Sequence, residues 1–488
     1  MKIVLLNPPY WKHFSRGQRS PAVIKSGTLY YPFWLSFAAG VLEDRGHRVM
    51  LLDAVARGLN CSQTVSAIRR FSPGLTVLET STASIENDLA VAERIRENLP
   101  GTFITLVGTH PSVLAEEILQ QHRQVNAVAR REYDYTLLNL ADHLEAGASL
   151  EQVAGLSFRL TGDQVIHNPD RPLIEDLDAL PFLSRVYKKH LPIHAYYFSL
   201  AGHPMIMLIT GRGCPNNCFF CVFPQTMHGR RYRCRSAENV VEEMAFIRKE
   251  LPHIRDIVFE DDTFTADIPR THRICELILT KGLRFHWFAN VRVTTDYETL
   301  ALMKRAGFRC CAVGFESGSQ TLLDAMHKGI TLEQSRRFAR DIHRLGIILH
   351  GCFMVGFPGE TKQSMEQTFR FAQELQCDSA QFYPVFLYPG TEAFDWAKDH
   401  GYMISKDYRQ WLTPSGGHNC VFQLPDLSRE EMMEFCEQAY QRYHLSKRYL
   451  LRKLGQVATH PREGKRTIRA GLNYFHYLLK KRFEGARG

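Results

Sequence analysis

The residues best suited to chemistry are three cysteines near the middle of the chain. Cys214, Cys218 and Cys221 have the spacing C-x3-C-x2-C and follow a predicted strand. Three thiolates on one loop can hold three irons of a [4Fe–4S] cube and leave the fourth iron open, whereas closed electron-transfer clusters use four cysteines. The spacing therefore predicts an iron–sulphur cluster with one open coordination position.

Two other interpretations of the triplet stay open at this point. One is a structural zinc site completed by Cys234 or His228, and the other is three ordinary core cysteines. Zinc sites usually show paired C-x2-C spacings, which are absent here. The remaining cysteines, among them Cys310, Cys311 and Cys352, are expected to be reduced thiols that behave as small buried hydrophobes, and the sequence assigns them no role.

The triplet and the aromatic Phe220 before its last cysteine resemble the signature of the radical S-adenosylmethionine (SAM) superfamily. In that superfamily the open iron chelates the amino and carboxylate groups of SAM, and one-electron reduction releases a 5′-deoxyadenosyl radical. Later segments resemble the superfamily's strand motifs in the same order. The resemblance assigns SAM contacts to five further residues: Asp262, Arg292, Glu316, Met354 and Gly356.

Each of these residues also has an ordinary structural interpretation. Asp262 could be a solvated loop carboxylate, Arg292 could form a surface ion pair, and Glu316 could cap the following helix. Gly356 could simply permit a turn. Their common order behind the cysteine triplet favours the SAM assignment.

The first part of the chain alternates strands and helices, as in a parallel sheet that is covered on both faces. Ligands of such sheets bind beyond the carboxyl ends of the strands. A small α/β domain ahead of a barrel resembles the cobalamin-binding domain of class B radical SAM enzymes. The resemblance assigns cobalamin contacts to six loop residues: Asn7, Pro8, Ser81, Thr82, Gly108 and His110.

One departure from other cobalamin proteins concerns the lower face of the corrin ring. Their motif Asp-x-His-x-x-Gly is missing, and the most similar frame, 53–58, carries Val55 where the histidine would stand. We therefore expect cobalamin to bind without a protein histidine as its lower ligand. His13 and His110 are the residues that could overturn this expectation.

The predicted fold class is α/β, with four parts. These are a Rossmann-like cobalamin-binding domain (1–146), a connector (147–198), a partial (β/α)6 radical SAM barrel (199–425) and a helical basic C-terminal region (426–488). The predicted strands are 2–6, 48–52, 75–79, 103–107 and 125–129 in the first part, and 205–210, 256–259, 284–289, 311–315, 349–355 and 379–386 in the barrel.

Composition and charge restrict the class of protein. The 488 residues are 44% hydrophobic and 23% charged, which is typical of a globular chain and excludes a disordered or coiled-coil protein. No apolar run reaches the ~18–20 residues that span a bilayer. The first residues lack the features of a signal peptide. We therefore expect a cytoplasmic protein.

The net charge of +9 is concentrated at the C-terminus. Residues 441–488 hold 13 Lys and Arg against 2 Asp and Glu, so the rest of the chain carries −2. Within 466–483, apolar residues recur at helical spacing between basic clusters, which predicts an amphipathic helix on the inner face of a membrane. The alternatives are packing on the barrel and nucleic-acid binding, and the nearly neutral body makes a tRNA substrate unexpected.

The expected activity is hydrogen abstraction from an unactivated carbon of a small, lipid-like metabolite, followed by methylation, rearrangement or oxidation with cobalamin. An external reductant of flavodoxin or ferredoxin type is implied. Segments 31–35 and 388–391 resemble enzymes of hopanoid and bacteriochlorophyll biosynthesis. The alternatives are a non-catalytic cobalamin or iron–sulphur sensor and an RNA-modifying enzyme. Position alone suggests five substrate-side residues: Tyr232, His286, Trp287, Tyr383 and Tyr388.

Overall fold

The chain forms two mainly parallel sheets with helices on their faces. The computed structural model describes residues 1–160, 164–459, 464 and 471. The strands are β1 (Lys2–Asn7), β2 (Arg48–Asp53), β3 (Leu75–Glu79), β4 (Phe103–Val107), β5 (Ala127–Ala129), β6 (Leu156–Arg159), β7 (Val165–His167), β8 (Met205–Leu208), β9 (Gly211–Arg212), β10 (Arg233–Cys234), β11 (Asp256–Phe259), β12 (His286–Asn290), β13 (Phe308–Glu316), β14 (Ile348–Val355) and β15 (Ser379–Pro384).

The α-helices connect these strands and cover both sheets. They are α1 (Phe33–Asp44), α2 (Cys61–Phe71), α3 (Ile85–Asn98), α4 (Thr109–Val113), α5 (Ala115–Gln121), α6 (Asp134–Ala146), α7 (Leu183–His190), α8 (Ala237–Glu250), α9 (Ile268–Thr280), α10 (Tyr297–Arg305), α11 (Gln320–Ala325), α12 (Leu332–Arg344), α13 (Lys362–Leu375), α14 (Glu392–Asp399), α15 (Arg429–His444) and α16 (Lys447–Thr459).

The N-terminal sheet has the strand order β2-β1-β3-β4-β5-β6-β7. Strands β1 to β5 are parallel, and their apolar runs are almost wholly buried because helices cover both faces. The chain reverses its direction of winding between β1 and β3, which creates a crevice at the carboxyl ends of these strands. Strands β6 and β7 fall within the predicted connector but extend this sheet, because β6 pairs antiparallel with the otherwise open edge of β5.

The second sheet is the predicted six-stranded partial barrel. Its strands are all parallel and follow chain order, β8-β11-β12-β13-β14-β15. The covering helices begin where the sequence supplies caps, for example Thr331 before α12 and Thr361 before α13. Between β8 and β11, strands β9 and β10 form a short antiparallel pair that flanks the cysteine segment.

Buried ion pairs join the two sheets. Glu132, just before α6, accepts hydrogen bonds from both terminal nitrogens of Arg233 at 2.9 and 2.6 Å. Asp134 accepts two more from Arg212, at 2.8 and 3.1 Å. Bidentate pairs of this kind fix geometry as well as charge. They hold both ends of the cysteine segment against the N-terminal domain.

The predicted amphipathic helix at 466–483 lies outside the described residues. Among the residues that the structure does describe, no helix combines the length and the hydropathy needed to cross a bilayer.

Candidate active site

The cysteine segment is held from several sides. Its backbone contacts the turn after α11, where Phe219 N–H donates to the carbonyl of Met326 at 3.3 Å. From the π-helix at Pro224–His228, the Gln225 amide donates to the carbonyls of Phe219 and Cys221, both at 3.0 Å. These contacts fix the path of the loop without using the thiols, which leaves all three cysteines unbridged.

The three cysteine side chains face a common region. Burial raises the pKa of Cys221, and the charges of Asp262, Cys218 and Cys214 raise it further. Within the described part of the chain, no three His, Cys, Asp or Glu side chains lie close enough to hold one metal ion. A cubane binds its cysteines at three different irons, so it does not need that proximity. His228, a candidate fourth ligand for zinc, is instead engaged with Glu132 at 3.0 Å.

The predicted SAM contacts Glu316 and Arg292 lie together near the cysteines. The Glu316 carboxylate pairs with Lys328, with 2.6 Å between Oε1 and Nζ, and both side chains are buried. Arg292 donates to the carbonyls of Lys328 and Gly329. The ammonium of Lys328 lies 6.0 Å from the ring centroid of Phe220. The sequence pattern missed Lys328, which stands in a polar turn that carries no motif.

The acidic residues that follow β11 (the acidic motif) make two kinds of contact. Asp261 accepts hydrogen bonds from the backbone and hydroxyl of Thr210, at 2.6 and 2.5 Å, and so ties β11 to β8. Asp262, the predicted SAM contact, pairs with Arg19 at 3.0 Å, and Glu260 pairs with the same guanidinium at 2.8 Å. Arg19 comes from the N-terminal domain and was not predicted, because its partners lie more than 200 residues away.

The predicted adenine flank lies at the end of β14. Gly356 has φ +94°, and a side chain there would collide with Phe422 and with Met432 on α15. Its N–H donates to Glu360 at 3.1 Å. The structure thus gives Gly356 a packing role, while Met354 lies nearly buried on the strand before it.

Three further side chains gather between the acidic motif and Glu316. Cys352 on β14 interacts electrostatically with Glu316 and Glu260, and burial raises its pKa to about 12. Tyr383 on β15 and Tyr30 from the N-terminal domain are neighbours of this thiol. Of the five substrate-side residues suggested by position, Tyr383 is the one next to Cys352; Trp287, for comparison, is a core residue that donates to the carbonyl of Ala306.

Aromatic rings continue this surface. His418 lies 5.4 Å from Tyr383 and 4.1 Å from Phe386, measured between ring centroids. Burial lowers the pKa of His418 to about 3, so its imidazole is neutral at pH 7. Since burial also raises the pKa of Tyr383, both groups are uncharged near neutrality. We call this surface, formed by Tyr30, Cys352, Tyr383, Phe386 and His418, the aromatic surface.

The carboxyl edge of the N-terminal sheet has features that fit a large polar cofactor. Buried polar atoms without a hydrogen-bond partner in the structure occur here, namely Trp34 Nε1, Thr80 Oγ1 and His228 Nε2. Gly108 has φ +120°, and a side chain there would meet the Thr80 carbonyl at 2.1 Å. Unsatisfied buried donors and acceptors are costly, so they indicate a missing partner such as the amide-rich periphery of a corrin.

The six residues predicted to contact cobalamin lie at this edge, and most of them are buried by other protein groups. The Asn7 amide is engaged with Asp53 at 2.9 Å and Arg16 at 2.8 Å. His110 Nδ1 lies 3.1 Å from the hydroxyl of Thr82, and the ring of Tyr408 packs against His110 at 4.7 Å. Pro8, Ser81 and Gly108 follow the same strand ends.

A cavity of about 1310 Å³ opens beside these residues. Its wall combines the loops after β1 and β2 with α3 and the segment 409–429, and it includes the basic residues Lys12, Arg57, Arg409 and Arg429. None of the six predicted cobalamin contacts lines it. Ligand pockets usually measure about 300–1,000 Å³, so this one suits a large molecule.

Comparisons with known proteins identify both domains. Residues 208–372 match the model of the Radical SAM superfamily, and residues 19–141 match that of the B12 binding domain. The chain is 31% identical to an uncharacterized methyltransferase of Pyrococcus horikoshii over 93% of its own length and 95% of the relative's. It is 25% identical to the anaerobic magnesium-protoporphyrin IX monomethyl ester cyclase of Rubrivivax gelatinosus, covering 86% of this chain and 74% of that one.

A solved structure shows the same fold. The radical SAM methyltransferase TsrM from Kitasatospora setae, with cobalamin and a [4Fe–4S] cluster bound, superimposes with a TM-score of 0.69 at 18% identity, covering 91% of this chain and 88% of that one. The two matched domains, their order and the relative that aligns over nearly the whole length lead to one conclusion. The chain belongs to the family of cobalamin-dependent radical SAM enzymes, which use a [4Fe–4S] cluster, SAM and cobalamin.

Proposed function

We propose that this enzyme transfers a methyl group to an unactivated carbon of a small, largely apolar metabolite held against the aromatic surface. The observation that carries the proposal is this surface itself, whose Cys352 interacts with both Glu316 and Glu260 and which presents thiol, phenol and neutral imidazole groups. An uncharged surface of this kind favours an apolar substrate, because no buried charge would be left unpaired by it.

The bound groups would supply the reactive species, namely a hydrogen-abstracting radical from the cluster and SAM and a transferable methyl group from cobalamin. The chain has to bind, orient and shield them. Cys214, Cys218 and Cys221 would hold the cluster, while Arg292 and Glu316 would hold the polar groups of SAM. Arg19 pairs with Glu260 and Asp262 at the barrel mouth and would hold the acidic motif in place beside the aromatic surface.

The proposed substrate class follows from the aromatic surface and from the relatives. Tilted and edge-on rings suit a rigid polycyclic body, and the cyclase relative is named for a tetrapyrrole. The sequence resemblance to enzymes of hopanoid biosynthesis adds polycyclic isoprenoids. A membrane-lipid extract is therefore the first source of substrate to test.

The test is anaerobic reconstitution with iron, sulphide and cobalamin, followed by SAM, reduced flavodoxin or ferredoxin, and the lipid extract. Methyl transfer predicts 5′-deoxyadenosine and S-adenosylhomocysteine in similar amounts, both dependent on the extract. Cys218→Ala should abolish both products, whereas Cys275→Ala, on α9 and outside the triplet, should retain them.

A second candidate function is rearrangement or oxidation, which the cyclase relative supports. It predicts 5′-deoxyadenosine without S-adenosylhomocysteine. If neither product forms and Cys218→Ala changes nothing, both candidates are wrong.

We also propose that cobalamin binds at the carboxyl edge of the N-terminal sheet without a histidine as lower ligand. Burial lowers the pKa of His110 to about 3, and its Nδ1 already lies against Thr82. Nitrogen splitting in the electron paramagnetic resonance (EPR) spectrum of bound cob(II)alamin can also come from the cofactor's own dimethylbenzimidazole, so the test compares variants. The spectrum should be the same in the unmodified enzyme, in His110→Ala and in His13→Ala, which removes a histidine of the cavity wall. A nitrogen splitting that disappears in either variant would contradict the proposal.

Peripheral membrane contact is a further proposal, supported by α16. This helix exposes Leu450, Leu451 and Leu454, the last two by 69% and 66%, next to basic residues. The basic sequence after it adds attraction to anionic lipids. Vesicles with anionic lipid should carry the protein in flotation, and Leu451→Glu with Leu454→Glu should release it. Leu279→Glu, an exposed leucine on α9, is the matched control, and equal flotation of all variants would contradict the proposal.

A further inference from the structure

We propose that Lys328 is a positioning residue of the SAM site, whose ammonium fixes the Glu316 carboxylate and adds a positive charge beside the cluster cysteines. The inference rests on the proposed function only in taking Glu316 as a SAM contact. It assigns a role to a residue that belongs to none of the motifs described above.

The pair is built into the barrel. Lys328 Nζ and Glu316 Oε1 are 2.6 Å apart, with only 11% and 7% of their side chains exposed. Gly314 makes room for both groups: a Cβ at that position would stand 2.1 Å from Glu316 Oε1 and 2.8 Å from Lys328 Nζ. Glu316 itself has φ +62°, which is costly for a residue other than glycine and has to be held by its surroundings.

The turn that carries Lys328 connects the other parts of the site. His327 and Gly329 both have positive φ, so the backbone turns sharply on either side of the lysine. The Gly329 carbonyl accepts a hydrogen bond from Arg292 at 3.1 Å, and the Met326 carbonyl accepts one from the cysteine loop. One short turn therefore orients the cysteine loop, the arginine and the glutamate together.

The charge of Lys328 acts on the cluster site directly. Its ammonium lies 6.0 Å from the Phe220 ring, next to Cys221, and it interacts electrostatically with Cys218. Reduction adds an electron to a cluster that is already bound by three thiolates. A nearby positive charge favours the reduced form, and its loss would leave the Glu316 charge uncompensated in a buried site.

A purely structural ion pair would behave differently. Its removal would lower thermal stability but leave the cluster potential and SAM affinity unchanged. Two variants separate a structural role from a positioning role. Lys328→Arg keeps the positive charge, whereas Lys328→Met keeps about the same side-chain length without the charge.

The experiment uses the reconstituted holoenzyme without substrate. The midpoint potential of the cluster is followed by EPR during redox titration, and SAM affinity is measured by equilibrium dialysis. Lys328→Met should give a more negative midpoint and about tenfold weaker SAM binding, the factor that corresponds to about 1.4 kcal/mol. Lys328→Arg should stay close to the unmodified enzyme, as should Lys362→Met, which removes an exposed lysine paired with Glu431.

A second variant protects the test against misfolding. Glu316→Gln leaves the lysine charge without its partner and should shift the midpoint in the opposite direction, toward less negative values. Equal midpoints and equal SAM affinities in Lys328→Met and the unmodified enzyme would overturn the proposal, whatever the thermal stability. Because no substrate is present, a failure of methyl transfer leaves these two measurements unaffected.

Discussion

Gly314 shows how a single residue can control the SAM site. It lies on β13, two residues before Glu316, and its missing side chain leaves space for the Glu316 carboxylate and the Lys328 ammonium. Gly314→Ala should displace the ion pair and weaken SAM binding about tenfold, since overpacking of this kind costs about 1–3 kcal/mol. Equilibrium dialysis measures the change. Gly101→Ala, where nothing lies within 4 Å, should have no effect, and equal SAM affinity in both variants would contradict the prediction.

Glu79 should make stability depend on pH. Burial raises its pKa to about 8, against about 4.3 in an unfolded chain. Between about pH 4.3 and pH 8, the folded protein keeps a proton on Glu79 that the unfolded chain has lost. The free energy of unfolding therefore falls as the pH rises through this window. Glu79→Gln should remove that loss, so the apoprotein variant should melt at a higher temperature than the unmodified apoprotein at pH 8.5 but not at pH 5. The prediction is wrong if the melting temperatures of the variant and the unmodified apoprotein differ by the same amount at both pH values.

The sequence could reveal individual site residues only where they belong to a motif. The cysteine triplet, Arg292 and Glu316 stand at positions fixed by strand order, and the structure brings the last two together through Lys328. Lys328 itself follows a short helix in a polar turn, which the pattern cannot distinguish from a surface loop. Arg19 was hidden for another reason, because its contacts with Glu260 and Asp262 depend on how two domains meet.

At the scale of secondary-structure elements, buried parallel strands were the easiest to predict. Strands β3, β4 and β11 have the predicted limits, because each is a continuous apolar run between turn residues. Strand β13 is longer than predicted, since Phe308 to Cys310 pair with neighbouring strands although Arg309 interrupts the apolar run. The membership of β6 in the N-terminal sheet depends on backbone pairing, which side-chain patterns do not report.

Helix α1 illustrates how packing can outweigh helix propensity. Gly40 lies in its interior, and a Cβ there would meet the Pro181 ring at 2.3 Å. Alanine favours a helix over glycine by about 1 kcal/mol, but overpacking against a rigid ring costs about 1–3 kcal/mol. Gly40→Ala should therefore lower the thermal unfolding midpoint, while Gly101→Ala should leave it nearly unchanged. A higher unfolding midpoint for Gly40→Ala would mean that the connector around Pro181 moves away from the added methyl group at little energetic cost.

At the scale of the whole molecule, the site is made by the contact between two domains. The cysteine segment is flanked by Arg212 and Arg233, and both guanidinium groups pair with carboxylates of the N-terminal domain. Arg19 makes the reverse contact, from the N-terminal domain to the barrel mouth. The cluster loop, the barrel mouth and the sheet edge are thus positioned by one buried interface, so damage to that interface should affect stability and cofactor binding together.

Glu132 is the residue that tests this interface. Besides its contacts with Arg233 and His228, it accepts a hydrogen bond from the backbone of Ile174 at 2.9 Å. Against the effect of burial, the hydrogen bonds from Arg233 and His228 and the charge of Arg212 hold the pKa of Glu132 well below its ordinary range. Glu132→Gln would leave buried guanidinium charge without its counter-charge, a change that costs about 3–5 kcal/mol. We expect a large fall in the urea midpoint, measured by tryptophan fluorescence, and faster proteolysis within the connector.

The matched control is Glu97→Gln, which removes an exposed partner of Arg94 and should cost at most about 1 kcal/mol. The pH dependence gives a second check. Because the folded-state pKa of Glu132 is lowered, its contribution is present above about pH 4.3 and is lost as the pH falls through the folded value. The difference between Glu132→Gln and the unmodified protein should therefore shrink in acid. If Glu132→Gln unfolds at the same urea concentration as Glu97→Gln at pH 7, the ion pairs do not hold the domains together.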